Sequence, residues 1–400
     1  MRVRTDTGVP SRKALRRLWA VVLVAYAAWI VLSGARYGPD SHTYSRWADT
    51  LIALRFNLPA YLREQSFVVP PVFYILWTVV IALLKTILGS SWASGVLALN
   101  WVSIGWGSYV TLDRIRLLTA SAAGLLLGVW LFLTAFELLM FAPFVLSDLM
   151  YWALSSAVIG AALTLTVSED EGPQWRTMIA GSALTLVALA FRPVGVPLLM
   201  LWVLAMIAAP ARAVLDRFGS VLLAAVIAGV TAVAFLHGYL LMHPDQWPLG
   251  APPSFLVLLS DEYHRGVLVY APESDLVVPA ATTVFGAVII TLQKLLYFLT
   301  PWLPHFSMSH TLLNLAFFIP AYGLSAVALA NRARLSPAQR RATVLLAIYA
   351  IALSAFHAMM QIEFDHRYRL PMLTALIMLS AIGLEAMRRP QMLVATARTR

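Results

Sequence analysis

Cysteine is absent from the 400-residue sequence, which excludes disulfides, thiolate catalysis and cysteine-ligated zinc. Charge is scarce: charged residues make up 12% of the chain, against about 25% in soluble domains. The sequence also has no Walker loop, no dinucleotide-binding motif and no His-Glu-x-x-His motif. These absences argue against a soluble fold and against an enzyme that binds a nucleotide through one of those motifs.

Apolar residues are abundant, at 60% of the chain, and the mean hydropathy is +0.78. A soluble fold has too little polar surface to cover so much apolar material, so lipid must solvate most of it. We predict an all-α, polytopic transmembrane helical bundle with about ten spans, each of about 20 residues. The apolar stretches lie near 18–34, 90–111, 117–137, 145–167, 177–191, 194–209, 220–242, 310–330, 343–361 and 369–387.

Basic residues are clustered rather than spread along the chain. Residues 2–17, 331–341 and 388–400 hold 14 of the 29 lysines and arginines. Basic clusters beside apolar segments mark the cytoplasmic face, so the net charge of +10 indicates topology and not nucleic-acid binding. We therefore predict a bacterial-type inner membrane protein with both termini in the cytoplasm. Because no small-residue cleavage site follows the first apolar run, that run is predicted to be a retained span.

Two further apolar pieces, 69–88 and 281–300, are ambiguous. If both crossed the membrane, the basic segment 113–116 would lie outside, against the positive-inside bias. Both pieces carry aromatic and basic residues, which favour the headgroup layer, so we predict juxtamembrane helices in two long outer loops. The chain is then one integral membrane domain whose parts are 18–242, the outer loop 243–309 and the C-terminal spans 310–387.

Asp40 stands directly after a Gly-Pro turn at the end of the first apolar stretch. From Ser41 onward, apolar residues recur at helical spacing, which predicts a helix lying flat on the membrane with Asp40 near its N-terminus. The residues alone leave two interpretations open: a carboxylate that serves chemistry at the membrane surface, or one that caps the helix. Asp148, at the start of a span, carries the same two interpretations. Because Glu137 lies in a very apolar run, we expect its carboxylate to pair with an arginine.

Several short motifs resemble those of the C-type membrane glycosyltransferases, in order across most of the chain. Asp-Ser-x-x-Tyr-x-x-x-Ala begins at Asp40, and Pro-Pro-x-x-Tyr follows at 70–74. Segments 146–151, 191–195 and 364–371 resemble the family's second acidic motif, its basic turn between two spans and its Arg-Tyr-x-Leu-Pro segment. The similarity is greatest to the branch with protein O-mannosyltransferases and the lipid A aminoarabinose transferase. The chain departs from it in having one prominent first-loop aspartate and no sizeable C-terminal outer domain.

The resemblance implies inverting transfer of a sugar from a polyprenyl-phosphate donor to a hydroxyl of a cell-envelope glycan, lipid or protein. The active site would face the extracytoplasmic side, with 18–242 as the part that is similar to the family's shared module. Asp40 would be the catalytic base, and Asp148 would be a second catalytic residue that orients the acceptor or holds a metal. Arginine binds phosphate oxygens in pairs, although snorkelling of these side chains to the interface stays an alternative. The residues expected at the donor phosphate are Arg192, Lys294, Arg367 and Arg369, and those expected at substrate are His42, Tyr44 and Tyr368.

Cofactors and competing functions stay open at this point. The eight histidines form no strong metal signature, but two hard oxygen ligands, Asp40 and Asp148, are able to hold a divalent cation. A lipid-linked glycan polymerase or ligase would share the long outer loops and the arginines. A flippase or transporter would show internal symmetry and charged or broken helices at mid-membrane, whereas here no internal repeat is evident and the candidate residues cluster at span ends.

Overall fold

A computed structural model describes residues 9–64, 74–119, 121–167, 174–210, 212–248, 250–269, 276–277, 279–302, 306–360 and 366–398. Three predicted features fall outside the described residues. They are the start of the N-terminal basic cluster at 2–8, the Pro70-Pro71 pair and the Phe364-Asp365 start of the late motif.

The described residues are almost entirely helical, as the composition predicts. One short antiparallel hairpin interrupts them, formed by β1 (Val267–Val269) and β2 (Leu276–Val277). The helices in chain order are α1 (Arg12–Ser33), α2 (Pro39–Ala53), α3 (Leu58–Glu64), α4 (Ile75–Leu88), α5 (Trp92–Leu118), α6 (Ala122–Thr134), α7 (Phe136–Phe141), α8 (Asp148–Val167), α9 (Trp175–Phe191), α10 (Val196–Ala208), α11 (Arg212–Met242), α12 (Ser254–Arg265), α13 (Val284–Leu299), α14 (Met308–Ala330), α15 (Pro337–Met360) and α16 (Leu370–Arg398).

Seven helical segments of the described chain are long and apolar enough to cross a membrane. Each of the ten predicted spans coincides with a helix, but α6, α9 and α10 have only 13, 17 and 13 residues. The fold class is therefore confirmed, while a count of ten spans stays a prediction. The seven segments are Arg12–Ser33, Ile75–Leu118, Asp148–Val167, Arg212–Met242, Met308–Ala330, Pro337–Met359 and Arg367–Arg388.

The Ile75–Leu118 segment contains two helices rather than one. A 3₁₀ turn over Gly89–Ser91 joins α4 to α5, and Gly89 has a φ of 55°, which glycine adopts without steric cost. Helix α4 then packs against α2, where Lys85 Nζ lies 2.7 Å from Asp49 Oδ1. The predicted interfacial position of 69–88 stays a prediction.

Basic segments from distant parts of the chain meet at one end of the bundle, which we call the basic end. Gln339, near the start of α15, donates a hydrogen bond to the Leu118 carbonyl at the end of α5, at 2.7 Å. Arg341 pairs with Asp216 near the start of α11, at 3.5 Å. This grouping agrees with the predicted placement of these segments on one side of the membrane. Which side faces the cytoplasm stays a prediction.

A backbone bridge braces the opposite end of the bundle. Arg36 donates its N–H to the Pro143 carbonyl at 2.9 Å, and its own carbonyl accepts from Val145 at 3.0 Å. The Asn100 amide of α5 donates to the Phe144 carbonyl at 2.8 Å. Since these bonds join the chain entering α2 to the chain entering α8, the first residues of both helices are held side by side.

The helices differ in how much of their surface the bundle covers. The apolar part of α16 is 89% buried and that of α8 is 78% buried, whereas that of α11 is 6% buried. Helix α14 approaches α16 so closely at Gly383 that a Cβ there would collide with the Leu324 carbonyl. Helices α8 and α16 therefore form the centre, and α11 presents its apolar side chains outward, as lipid solvation requires.

Candidate active site

Two carboxylate–arginine pairs converge at the end opposite the basic end. Asp40, the second residue of α2, has its Oδ2 atom 2.6 Å from Arg367 Nη1. Asp148, the first residue of α8, pairs with Arg192, which follows the end of α9. Four residues from remote parts of the sequence thus lie in two ion pairs at a common site.

The cap of α2 explains why the Asp40 carboxylate is available to Arg367. Gly38 occupies the N-cap position and Pro39 the first helical turn, where its missing N–H costs nothing. The Ser41 hydroxyl accepts a hydrogen bond from the Gly38 N–H at 3.0 Å. Because Ser41 closes the start of the helix, Asp40 is not its cap, and the side chain projects to Arg367 instead.

Tyr368 lies between the two pairs. The Arg192 guanidinium is 5.2 Å from the centroid of its ring, and the Arg367 guanidinium is 5.1 Å from it. Arg367 Nη2 also donates to the Tyr368 hydroxyl at 3.3 Å. Stacking on one aromatic ring fixes the planes of both guanidinium groups, so they are oriented before any ligand arrives.

A small, partly open cavity lies between these groups. Its side chains pack so closely that they leave no room for a water-sized ligand, so a phosphate would enter only when the ion pairs open. The lining residues are Asp148, Tyr151, Arg192, Val194, Arg367, Tyr368 and Pro371.

Tyr44 closes the site on the α2 side. Burial raises the pKa of the Tyr44 hydroxyl well above its usual value; Arg192 opposes this rise, and Tyr74, Asp40 and Asp148 add to it. Its ring packs on Trp47 and Tyr74, with centroid distances of 5.7 and 5.8 Å. Tyr44 therefore stays a neutral phenol beside both carboxylates, able to donate a hydrogen bond but not to act as a base.

Arg369 belongs to a different cluster from its near neighbour Arg367. It is fully buried and lies 2.9 Å from Glu137 Oε1, which is also fully buried. Its Nη1 atom donates to the Thr300 carbonyl at 2.7 Å. This confirms the predicted pairing of Glu137 with an arginine. It also means that the cavity does not include Arg369, so its expected contact with the donor phosphate is not carried forward.

The remaining predicted residues lie outside the cavity. His42 is exposed, and its ring stacks on Tyr37 with a centroid distance of 5.8 Å. Lys294 is buried beside Tyr263, with its Nζ atom 5.3 Å from the ring centroid. The structure thus brings together Asp40, Asp148, Arg192, Arg367 and Tyr368, with Tyr44 adjacent.

Two residues at the site, Tyr151 and His357, were not predicted as site residues from the sequence. Tyr151 lies within the predicted acidic motif, and its hydroxyl donates to the Val194 carbonyl at 2.8 Å, joining α8 to the turn that holds Arg192. The His357 ring, in the apolar run of α15, lies tilted against the Tyr368 ring with a centroid distance of 5.1 Å. A histidine inside a predicted span was the available signal, because ionisable residues within membrane segments are functional candidates.

No preformed metal site is present in the part of the chain that the structure describes. Three or more histidine, aspartate or glutamate side chains do not come together there. An arginine already balances the charge of each site carboxylate. The predicted divalent cation therefore stays a prediction that would require these pairs to open.

The chain has no detectable relative among the proteins compared with it. No family model matches the sequence, no curated protein matches it, and no solved structure matches the fold.

Proposed function

We propose that this protein is an inverting glycosyltransferase that takes a sugar from a polyprenyl-phosphate donor at the extracytoplasmic membrane face. The observation that carries the proposal is the 2.6 Å contact between Asp40 and Arg367, beside the Asp148–Arg192 pair, at the end away from the basic clusters. The candidate base thus contacts Arg367, which lines the cavity together with Arg192. A lipid-linked phosphate donor needs both a base and phosphate-binding groups, since its tail lies in lipid and its sugar meets water.

The reaction follows from the position of each group. Asp40 takes the proton of the acceptor hydroxyl, whose oxygen attacks the anomeric carbon of the sugar. The bond between that carbon and the phosphate oxygen breaks, and the polyprenyl phosphate leaves with the electron pair. Arg192 and Arg367 stabilise the charge that develops on this leaving group. A single displacement inverts the configuration of the anomeric carbon.

The Asp40–Arg367 pair gives donor binding a second role. A carboxylate oxygen that accepts hydrogen bonds from an arginine is not free to accept the proton of an acceptor hydroxyl. The donor phosphate is a competing acceptor for the same guanidinium. Donor binding therefore releases Asp40 for the acceptor, which predicts that donor binds before acceptor. Asp148, paired with Arg192, acts as a positioning residue that orients the arginine.

The test replaces Asp40 with asparagine and measures release of polyprenyl phosphate in proteoliposomes, across a panel of polyprenyl-phosphate monosaccharides with envelope acceptors. Loss of a general base should reduce kcat by about 10²- to 10⁴-fold. Donor binding should not weaken, because Arg367 loses its competitor. Asp49→Asn is the matched control, since Asp49 lies on the same helix but pairs with Lys85. Near wild-type turnover in Asp40→Asn would remove the proposed base.

Arg367→Ala separates the phosphate from the chemistry of the base. Its donor KM should rise by at least about tenfold, since a hydrogen bond to a charged group is lost. An unchanged donor KM would exclude Arg367 from the phosphate site. Preference for an oligosaccharide-lipid donor would indicate the polymerase or ligase alternative. Movement of intact donor across the bilayer without release of polyprenyl phosphate would contradict transferase function and indicate a flippase.

A further inference from the structure

Buried cations in the described part of the chain fall into two unequal groups. Five lysine or arginine side chains there are buried, and four of them pair with a carboxylate. The fifth, Lys294, has no ion pair and no hydrogen bond to its Nζ atom among the described residues. The four paired cations are Arg192, Arg341, Arg367 and Arg369.

Lys294 lies on α13, a 16-residue helix outside the seven candidate spans. It is 8% exposed, and its nearest described partner is the face of the Tyr263 ring, 5.3 Å from Nζ. Burial lowers the pKa of Lys294 to about 7, and no carboxylate of the described residues offsets that effect. An aromatic face compensates only part of the lost hydration of an ammonium group. The described surroundings of the Lys294 ammonium group therefore lack an anion that would stabilise its charge.

Two histidines flank this lysine on the neighbouring helices. Lys294 lies within electrostatic range of His237 on α11 and of His357 on α15. The Nε2 atom of His237 and both ring nitrogens of His357 are buried without a hydrogen-bond partner in the described chain. His237 does have one backbone hydrogen bond, to Met359. Unpartnered buried polar atoms cost free energy, so the Lys294 ammonium and the three remaining imidazole nitrogens point to a ligand.

The position of His357 connects this group to the cavity. Its ring lies 5.1 Å from Tyr368, which lines the cavity, and 5.1 Å from Phe298, one turn beyond Lys294 on α13. Helices α11, α13 and α15 pack together around these side chains. The rings of Phe298, His357 and Tyr368 thus connect α13 to the cavity, and Lys294 itself does not line it.

We propose that Lys294, with His237 and His357, forms a second anion site that binds a phosphate group. Ammonium is an established phosphate ligand, and imidazole supplies an additional N–H donor. Among the described residues this site is basic without a carboxylate, unlike the cavity, where each arginine has an acidic partner. It takes the phosphate of a lipid headgroup or a phosphate from solution. The proposal does not depend on transferase activity.

The experiment measures thermal unfolding of the full chain by tryptophan fluorescence in two arms. One arm adds inorganic phosphate to the detergent-solubilised protein at constant ionic strength. The other compares phosphatidylcholine nanodiscs with and without phosphatidic acid. A ligand that binds the folded state raises Tm. Lys294→Met should weaken the apparent affinity by at least about tenfold, because a charge-assisted hydrogen bond is lost. Lys294→Arg keeps the charge and should keep the response.

Lys85→Met is the matched control, because Lys85 already has Asp49 as its partner, and it should respond as wild type does. A Lys294-dependent response to phosphate alone identifies a soluble ligand, and one to phosphatidic acid alone identifies a lipid headgroup. No wild-type response in either arm, or an equal response in Lys294→Met, overturns the proposal. Failure of Lys294→Met to fold also overturns it, since an unpaired charge should not be needed for folding. Asp40→Asn should retain the response, so failure of the transferase proposal would be seen separately.

Discussion

The two basic regions near the cavity differ in charge balance more than in position. Around the cavity, Arg192 and Arg367 each contact a carboxylate, so the region is close to neutral before any ligand binds. Behind it, Lys294 is buried with no acidic partner in the described chain. Arginine pairs that a substrate must open confer selectivity, because only an anion that competes with a carboxylate can enter. An unpaired lysine confers attraction, because any fitting anion lowers its energy.

The largest expected effect comes from breaking the buried Arg369–Glu137 pair, which lies outside the cavity. Arg369→Met leaves Glu137 buried without its cation and should reduce the free energy of unfolding by about 3–5 kcal/mol. The double variant Arg369→Met with Glu137→Leu removes both charges and should recover most of that loss. Chemical denaturation in detergent measures both. A single variant as stable as wild type would show that this pair does not support the fold.

An effect of the opposite sign is expected from Lys294→Met in ligand-free protein. The folded pKa of Lys294 is about 7, below the unfolded value of 10.5. Between these values the unfolded chain holds more protons, so the stability of wild type rises with pH across this window. The gain in Tm of Lys294→Met over wild type should therefore be full below about pH 7 and shrink toward about pH 10. It should be smaller than the Arg369 effect, because a buried lysine can lose its proton. Unfolding scans across that pH range measure it, and a gain independent of pH would contradict the buried, unpaired state.

The smallest effect is expected from a pair that faces solvent. Lys85 and Asp49 lie 2.7 Å apart, but the Asp49 side chain is 61% exposed. Solvent screens such a pair, so Lys85→Met should change the free energy of unfolding by less than about 1 kcal/mol. The same denaturation assay measures this change. A loss as large as that of Arg369→Met would remove the distinction between paired cations that support the fold and those that do not.

Sequence patterns predicted the helices well because apolar runs of spanning length have few alternatives. Each of the ten predicted stretches contains a helix, and the basic clusters predicted which helix ends meet. The patterns predicted length less well. The stretch 117–137 became α6 of 13 residues, because the backbone is extended at Ala135 and a new helix begins at Phe136. A hydropathy profile cannot detect a helix break caused by one residue with an extended backbone.

The candidate site was predicted in part. Asp40, Asp148, Arg192 and Arg367 come together as the motifs suggested, although their spacing in sequence carries no distance. Arg369 was expected beside Arg367, but the two stand apart because the 3₁₀ turn His366–Arg369 points them in different directions. The charge balance around Lys294 also could not be predicted from the sequence, because the fold determines which acidic side chains lie near it.

The buried anchor of Arg369 determines which partner of the Asp40–Arg367 contact can move. Arg369 lies two residues after Arg367, and it contacts both Glu137 and the Thr300 carbonyl. The turn that carries both arginines is therefore fixed to α7 and to the end of α13. Asp40 is different: its side chain is 40% exposed, although the start of α2 that carries it is bonded to the chain before α8. Arg367 is thus the fixed partner of the contact, and the Asp40 side chain is the partner that a competing anion would displace.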